Sequence, residues 1–276
     1  MAIITLTTDF GHKDHFVAAM KGLIYSELPE AKIVDISHDI APFDLQECAY
    51  ILENTYRHFP KGTVHVIGMD AEAHADKKHV VVLLDGHYFI TANTGVIGLI
   101  ANEVSPEKVM EIQLPNAVHN SFPTAHIFIK VACHIARGGT LEVVGKPYTA
   151  LKTLKKFAPR IIENGRQIIG SVIYIDNYGN VVTNIKKHLF EAYKNGRTFE
   201  ILVRNHTIKS IYKAYSDMEN DREERGRRRG DGDLLALFNS SDYLELAIYR
   251  SNLKTVGGAS TLLGLEYRDT ITIDFK

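Results

Sequence analysis

The sequence contains no tryptophan, only two cysteines and almost no net charge. The missing tryptophan excludes nothing. Cys48 and Cys133 lie far apart without metal-type spacing, so they read as buried free thiols of a reducing compartment, not as a disulfide framework. A net charge of −1 over 276 residues gives no footing for a polyanionic partner, and no nucleic acid is expected. No apolar run approaches membrane-spanning length. The first residues enter a short strand directly, without the basic segment and longer apolar core of a signal peptide. The expectation is a cytoplasmic protein with no membrane partner. Glycine-rich phosphate loops of the G-x-G-x-x-G or Walker type are missing. A nucleophile elbow is also missing, which removes a Ser-His-Asp hydrolase. Thirteen histidines are present, but no tight ligand cluster, so no metal is expected.

What is there is an ordinary globular composition, 45% hydrophobic and 24% charged, in a chain long enough for one large domain or two ordinary ones. Residues 1–8 are β-rich and run into a turn carrying Asp9 and Asp14. Residues 14–28 then show helical periodicity, with Phe16, Met20, Leu23 and Ile24 on one face, and Pro29 ends the helix. A second strand at 31–36 leads to Ser37-His38-Asp39, a helix spans 44–56, and a third strand at 63–69 stops at Asp70. Asp85-Gly86 separates short apolar runs at 80–84 and 88–90, a strong hairpin signal. A helix at 127–136 ends in Arg137-Gly138-Gly139. Alternating strand and helix predict an α/β, Rossmann-like domain over residues 1–165, with a mostly parallel sheet.

The second half reads as short strands at 168–175, 198–203, 234–238, 243–248 and 270–275, with one turn of helical pattern at 187–193. This predicts a β-barrel or sandwich over 166–276, preceded by a basic linker at 151–167 that contains Pro159. Residues 219–231 mix acids, arginines and two glycines, and read as a solvated loop, not as an anion contact.

Three strand ends in the first domain carry acids: Asp9 to Asp14, Asp35 to Asp39, and Asp70. If those strands are parallel neighbours, their tips meet at one sheet edge, where ligands of α/β proteins bind. A carboxylate there can accept two hydroxyl hydrogen bonds, which suits a ribose diol without a phosphate tail. The alternative for Asp9 is that it caps the following helix. In the second domain, Asp176-Asn177-Tyr178-Gly179-Asn180 forms a polar turn between strands. It reads either as a plain hairpin turn or as an aromatic that stacks on a purine beside amides that bond its edge.

Four stretches resemble, in order, the S-adenosyl-L-methionine (SAM) hydroxide adenosyltransferases, a family that includes the fluorinases and chlorinases. They are Thr8-Asp9-Phe10-Gly11 with Asp14 and Lys21-Gly22; Val34-Asp35-Ile36-Ser37-His38-Asp39-Ile40 with Pro42-Phe43-Asp44; residues 175–185, from Ile175 through Ile185; and Asn239-Ser240-Ser241-Asp242-Tyr243 with Arg250-Ser251-Asn252. The resemblance implies an α/β domain, a C-terminal β-barrel and a homotrimer that binds SAM between one subunit's first domain and its neighbour's second. SAM is then the substrate, with no other cofactor. Carried over by position, Asp9 holds the ribose hydroxyls, Asp14 faces the methionine amino group and Asp176 lies at the methionine end. Tyr178 stacks on adenine, Asn180 bonds its edge, and Arg250 meets the methionine carboxylate, a role that suits a two-pronged guanidinium.

The resemblance also implies a water-orienting Asp, Arg and His set. Asp70 matches the Asp, Lys77 stands at the Arg position and Pro123 at the His position, while His126 falls where an Asp is usual. Residues 71–76 replace the family's Pro-Gly-Val-Gly turn. Asp70, Lys77 and His126 are the catalytic candidates, with His74 a further one. Thr124 lies in the turn where fluorinases place a halide-contacting hydroxyl. The expected activity is cleavage of SAM to adenosine and methionine by water. The alternatives are an adenosyl-binding protein without turnover and an enzyme for another adenosyl substrate.

Overall fold

In a computed structural model of the chain, residues 3–101, 104–114, 121–218 and 232–276 are described. The charged stretch at 219–231 lies outside the described residues. The chain divides into two compact units, Met1–Lys156 and Phe157–Lys276.

The first unit holds β1 (Ile3–Thr8), α1 (Phe16–Glu27), β2 (Lys32–Ser37), α2 (Leu45–Glu53), β3 (Val64–Gly68), β4 (His79–Leu84) and β5 (His87–Ala92). It continues with α3 (Val96–Ala101), β6 (Lys108–Ile112), α4 (Ile129–Ala136), α5 (Leu141–Val144) and β7 (Gly145–Pro147). A single π-type turn, Thr124–Phe128, leads into α4. The seven strands form one sheet in the order β2-β1-β3-β5-β4-β6-β7.

The expectation of a mostly parallel sheet is corrected. β1 pairs in parallel with β2 and β3, and β3 with β5. The β4–β5, β4–β6 and β6–β7 pairings are antiparallel. The cause is local: Asp85 and Gly86 both adopt left-handed backbone, φ 50° and 70°, so β4 turns straight back into β5 with no crossover helix.

β1 and β3 are buried on both faces, as interior parallel strands are. Ile4, Leu6, Val64 and Val66 pack with Met20 and Ile24 of α1 and with α4. Ile67 and Met69 pack toward Cys48 and Leu52 of α2 and toward α3. Both cysteines are free and buried.

The second unit holds β8 (Arg160–Ile162), β9 (Gln167–Ile175), β10 (Val181–Lys186), α6 (Lys187–Lys194), β11 (Phe199–Val203) and β12 (His206–Ile208). After these come β13 (Leu234–Phe238), β14 (Tyr243–Ile248), α7 (Ala259–Leu263) and β15 (Thr270–Phe275). The strands run β12-β11-β15-β9-β10-β14-β13, all antiparallel, with β8 added alongside β9. The chain after β12 swings beside β13, where Tyr212 N–H donates to the Ala236 carbonyl at 2.9 Å. The sheet is thus barrel-like and nearly closed. Residues 157–165, in the stretch read above as a linker, join this unit because β8 pairs with β9.

One buried polar cluster has a thermodynamic consequence. His65 on β3 bonds Thr5 Oγ1 through Nδ1 at 2.7 Å and His87 through Nε2 at 3.2 Å, and it stacks on Phe89. Burial, with His87 adding to it, pushes the His65 pKa down to about 3. Burial lowers His87 as well, with Lys61 and Arg57 acting the same way and Asp85 opposing. Both imidazoles are neutral in the fold, whereas in the unfolded chain they protonate near the ordinary value of 6.5. Below that pH the unfolded state binds more protons, so this stability is fully present above pH 6.5 and is lost as pH falls toward 3. Urea midpoints measured from pH 7 downward are expected to decline, and His65→Gln is expected to flatten the decline.

Candidate active site

Because β1 lies between β2 and β3 and both pairings are parallel, three carboxyl ends meet at one edge. The loops there are tied together. Gly11 N–H donates to the His38 carbonyl at 2.7 Å, and Phe43 N–H donates to Asp9 Oδ2 at 3.0 Å. The helix-cap alternative for Asp9 is overturned: α1 begins at Phe16 behind His15, with no side-chain cap. Asp44 is the residue that caps, its carboxylate accepting from Gln46 and Glu47 N–H at the start of α2.

A pocket of about 490 Å³ opens at this edge, within the range of small-molecule sites. Asp9, Asp70 and Glu72 supply its charge, and Phe10, Phe16, Phe43 and Phe122 its apolar wall. Phe10, Phe16 and Phe122 pack against one another, with ring centroids 5.3–5.8 Å apart. Pro123 and Thr124 close one side at the π-type turn. The Thr124 hydroxyl is fully buried and has no hydrogen-bond partner among the described residues. Two lining residues carry unusual backbone: Phe43 has φ 64°, uncommon for a bulky side chain, and Asp70 has φ 44°. Phe43 is 72% exposed, an aromatic left standing at the rim.

The approach of the π-type turn depends on Gly68. A Cβ there would stand 2.9 Å from the methyls of both Thr124 and Thr8, which are β-branched and buried.

Lys77 donates to Asp70 Oδ1 at 2.5 Å, so the structure brings these two candidates together. Lys77 is mostly buried, and it reaches the pocket only through Asp70. His74 and Lys77 pair backbone to backbone and close the 71–76 loop on itself, and His74 is exposed. His126 is exposed, rests against the edge of Phe122 and does not line the pocket. Asp14 is also exposed and outside the lining. At the second strand end, Asp35 is engaged by an ion pair and a hydrogen bond. Asp35 meets Lys21 at 2.5 Å and His38 at 3.1 Å. Burial raises the Asp35 pKa, but hydrogen bonds from Lys21 and His38 outweigh it and hold the carboxyl below its ordinary value.

In the second unit, residues 176–180 join β9 to β10. Asp176 Oδ1 accepts from the Tyr178 and Asn180 N–H groups at 2.8 Å each, and Oδ2 accepts from Asn180 Nδ2 at 2.9 Å. The Asp176 carboxylate therefore builds the turn. Gly179, at φ 77°, packs against Leu253, Gly258 and Ser260, where a Cβ would not fit. Tyr178 is left 62% exposed, while Asn180 is buried with Oδ1 unpartnered among the described residues. The amide of Asn184 accepts from Ser171 N–H and donates to the Phe157 carbonyl, a structural role. Arg250 is exposed, left-handed at φ 51°, and lies over the Tyr249 ring. The β10–β14 register, Val181 opposite Leu246, brings the end of β14 beside the 176–180 turn.

Glu72 and the wall of phenylalanines were not legible as site residues. Glu72 sits in the loop that departs from the family pattern, so no motif pointed to it. Phe10, Phe16 and Phe122 are scattered in sequence and meet only when α1 and α4 pack.

The mixed α/β sheet with carboxylates at one edge, followed by a barrel-like antiparallel sheet carrying an exposed aromatic–amide turn, defines a two-domain protein. The chain belongs to the SAM hydroxide adenosyltransferase family, whose N-terminal domain model matches residues 4–145 and whose C-terminal domain model matches 170–272. A (R)-S-adenosyl-L-methionine hydrolase of Methanocaldococcus jannaschii is 30% identical over 98% of this chain and 95% of its own length. A fluorinase of Nocardia brasiliensis is 28% identical over 67% of this chain and 71% of its own. An uncharacterized conserved protein from Thermotoga maritima superposes with a TM-score of 0.82 at 29% identity, covering 99% of this chain and all of that one.

Gly68→Ala is expected to lower stability by about 1–3 kcal/mol through overpacking against the two threonines, read from the urea midpoint. Asp176→Ala leaves two turn N–H groups unpaired and is expected to cost about 1–3 kcal/mol by the same measurement.

Proposed function

We propose that the protein cleaves SAM to adenosine and methionine, with water attacking the 5′-carbon in line with the departing sulfur. The observation that carries this reading is that Asp9 and Asp70 line one pocket at the converged strand ends. Asp9, oriented by the Phe43 N–H, keeps lone pairs free for the ribose diol. Asp70, anchored by Lys77 through one oxygen, offers the other to a water molecule. As the C–O bond forms, the C5′–S bond breaks and its electron pair stays on sulfur, which becomes the neutral thioether of methionine. The water proton leaves by way of the Asp70 carboxylate to solvent. A sulfonium is a good leaving group, so the site supplies placement and exclusion of bulk water more than base strength.

In this reading Tyr178 stacks on adenine and Asn180 offers its free amide oxygen to the adenine amino group. Arg250 and Asp14 face the methionine end. Asp176 acts there only through the turn it holds. The protein works as a cytoplasmic homotrimer in which the turn of one copy completes the pocket of its neighbour. Sedimentation velocity is expected to give a trimer.

The decisive assay incubates purified protein with SAM and follows adenosine. Asp70→Asn is expected to lower kcat by about 10²-fold, in the range of general-base losses, with SAM binding retained. Asp9→Ala is expected to raise KM. Pro123 favours a second reading, an adenosyl-binding protein without turnover, because it starts the π-type turn and has no proton-handling group. Calorimetric SAM binding with no adenosine formed would establish that reading.

A further inference from the structure

The pocket is one-sided in charge. Asp9, Asp70 and Glu72 line it, and no lysine, arginine or histidine does so among the described residues. Lys77 neutralises Asp70 from behind. Asp9 is held by a backbone N–H, which carries no full charge. Glu72 is exposed and has no ion-pair partner among the described residues. These acids line a cavity of about 490 Å³ walled by Phe10, Phe16 and Phe122, which marks a ligand site and not merely an acidic surface.

Resting on the SAM-cleaving reading, we infer that Glu72 is a specificity-determining residue: its carboxylate selects the cationic sulfonium substrate over its uncharged thioether and nucleoside relatives. SAM carries a sulfonium, an ammonium and a carboxylate, a net single positive charge. Both products are neutral overall, adenosine as an uncharged nucleoside and methionine as a zwitterion. An uncompensated carboxylate on the pocket wall therefore attracts the substrate and loses that attraction once sulfur becomes a thioether. The same field that favours entry favours product departure. It also disfavours anionic nucleophiles, which fits water as the attacking group. Glu72 lies in the 71–76 loop that stands in place of the family's Pro-Gly-Val-Gly turn, apart from the stretches that resemble the family's binding motifs.

The test compares wild type with Glu72→Gln, using SAM turnover and competitive inhibition by S-adenosylhomocysteine, which has the same adenosyl and amino-acid parts around a neutral sulfur. Glu72→Gln is expected to lower kcat/KM for SAM by about three- to tenfold, the scale of a partly exposed charge contact. The S-adenosylhomocysteine inhibition constant is expected to stay within about twofold, because a neutral sulfur gains little from the carboxylate. The wild-type preference is expected to shrink as sodium chloride is raised, through screening, while that of Glu72→Gln stays flat. Glu72→Asp, which keeps the charge, is expected to keep the preference. Equal losses for both ligands, or no change in either, overturn the role of Glu72 while leaving the SAM-cleaving reading intact. Wild-type protein that forms no adenosine but binds SAM removes the cleavage reading alone, and the selectivity is then read from the ratio of Kd values. Wild-type protein that binds no SAM overturns both.

Discussion

Strand β1 is hydrogen-bonded on both sides, to β2 and to β3, and both pairings are parallel. Everything at the pocket follows from this arrangement. Parallel neighbours end at the same edge, so residues separated by sixty-one positions in sequence, Asp9 and Asp70, reach one cavity without any loop having to carry them there. The burial of β1 on both faces fixes its register, because a slip of one residue would exchange Ile4 and Leu6 for Thr5 and Thr7 on the α1 side. The same register places Thr5 opposite His65, so the buried imidazole and the pocket depend on one alignment.

The three strand-end acids share a position but differ in what holds them. Asp35 is compensated by Lys21, hydrogen-bonded by His38, whose burial lowers its pKa, and serves the fold. Asp70 is compensated by Lys77, through a single oxygen. A guanidinium in that place could bind both oxygens in its fork, whereas an ammonium is a point charge that engages one and leaves the other able to accept. Asp9 meets no cation among the described residues; a main-chain N–H orients it. That N–H is aimed by Phe43, which sits at positive φ, and the strain is tolerated because Asp44 immediately caps α2 and pins the chain that follows.

Much of this was readable in the sequence, and for identifiable reasons. Apolar runs ending in acids at Asp9, Asp39 and Asp70 announced three strand tips, and the Asp85-Gly86 dipeptide announced the hairpin. That hairpin also broke the parallel pattern. Alternating strand and helix suggested crossovers throughout, but a two-residue turn cannot return a strand in parallel. The linker reading at 151–167 failed in part because the three residues of β8 are too few to show periodicity. Asp9 as cap or as ligand holder could not be resolved locally, since both roles use the same residue type at the same kind of turn. It was resolved by distance along the chain, because α1 starts seven residues later, at Phe16. The role of Asp176 was hidden for the same reason: an acid before Asn-Tyr-Gly-Asn satisfies turn N–H groups or a ligand amine with equal chemical logic, and only its three short contacts show which.

Pro123 clarifies what the altered set can and cannot contribute. A proline at the start of a helix costs nothing in hydrogen bonding, since the first N–H groups are unpaired anyway. Here it fixes φ at −59° just ahead of Thr124, at the point where the turn is tight enough to press against Gly68. The residue that replaces a proton-handling group thus acts on geometry, holding a buried hydroxyl and a phenylalanine wall against the pocket. For a reaction whose leaving group departs as a neutral thioether, geometry is the scarcer requirement. In the proposed reaction the carboxylate at Asp70 needs only to orient one water, and the proton that water releases has solvent within reach, because the Asp70 side chain is 43% exposed. Loss of the histidine is therefore compatible with turnover, provided that the rigid turn keeps the attacking water in line.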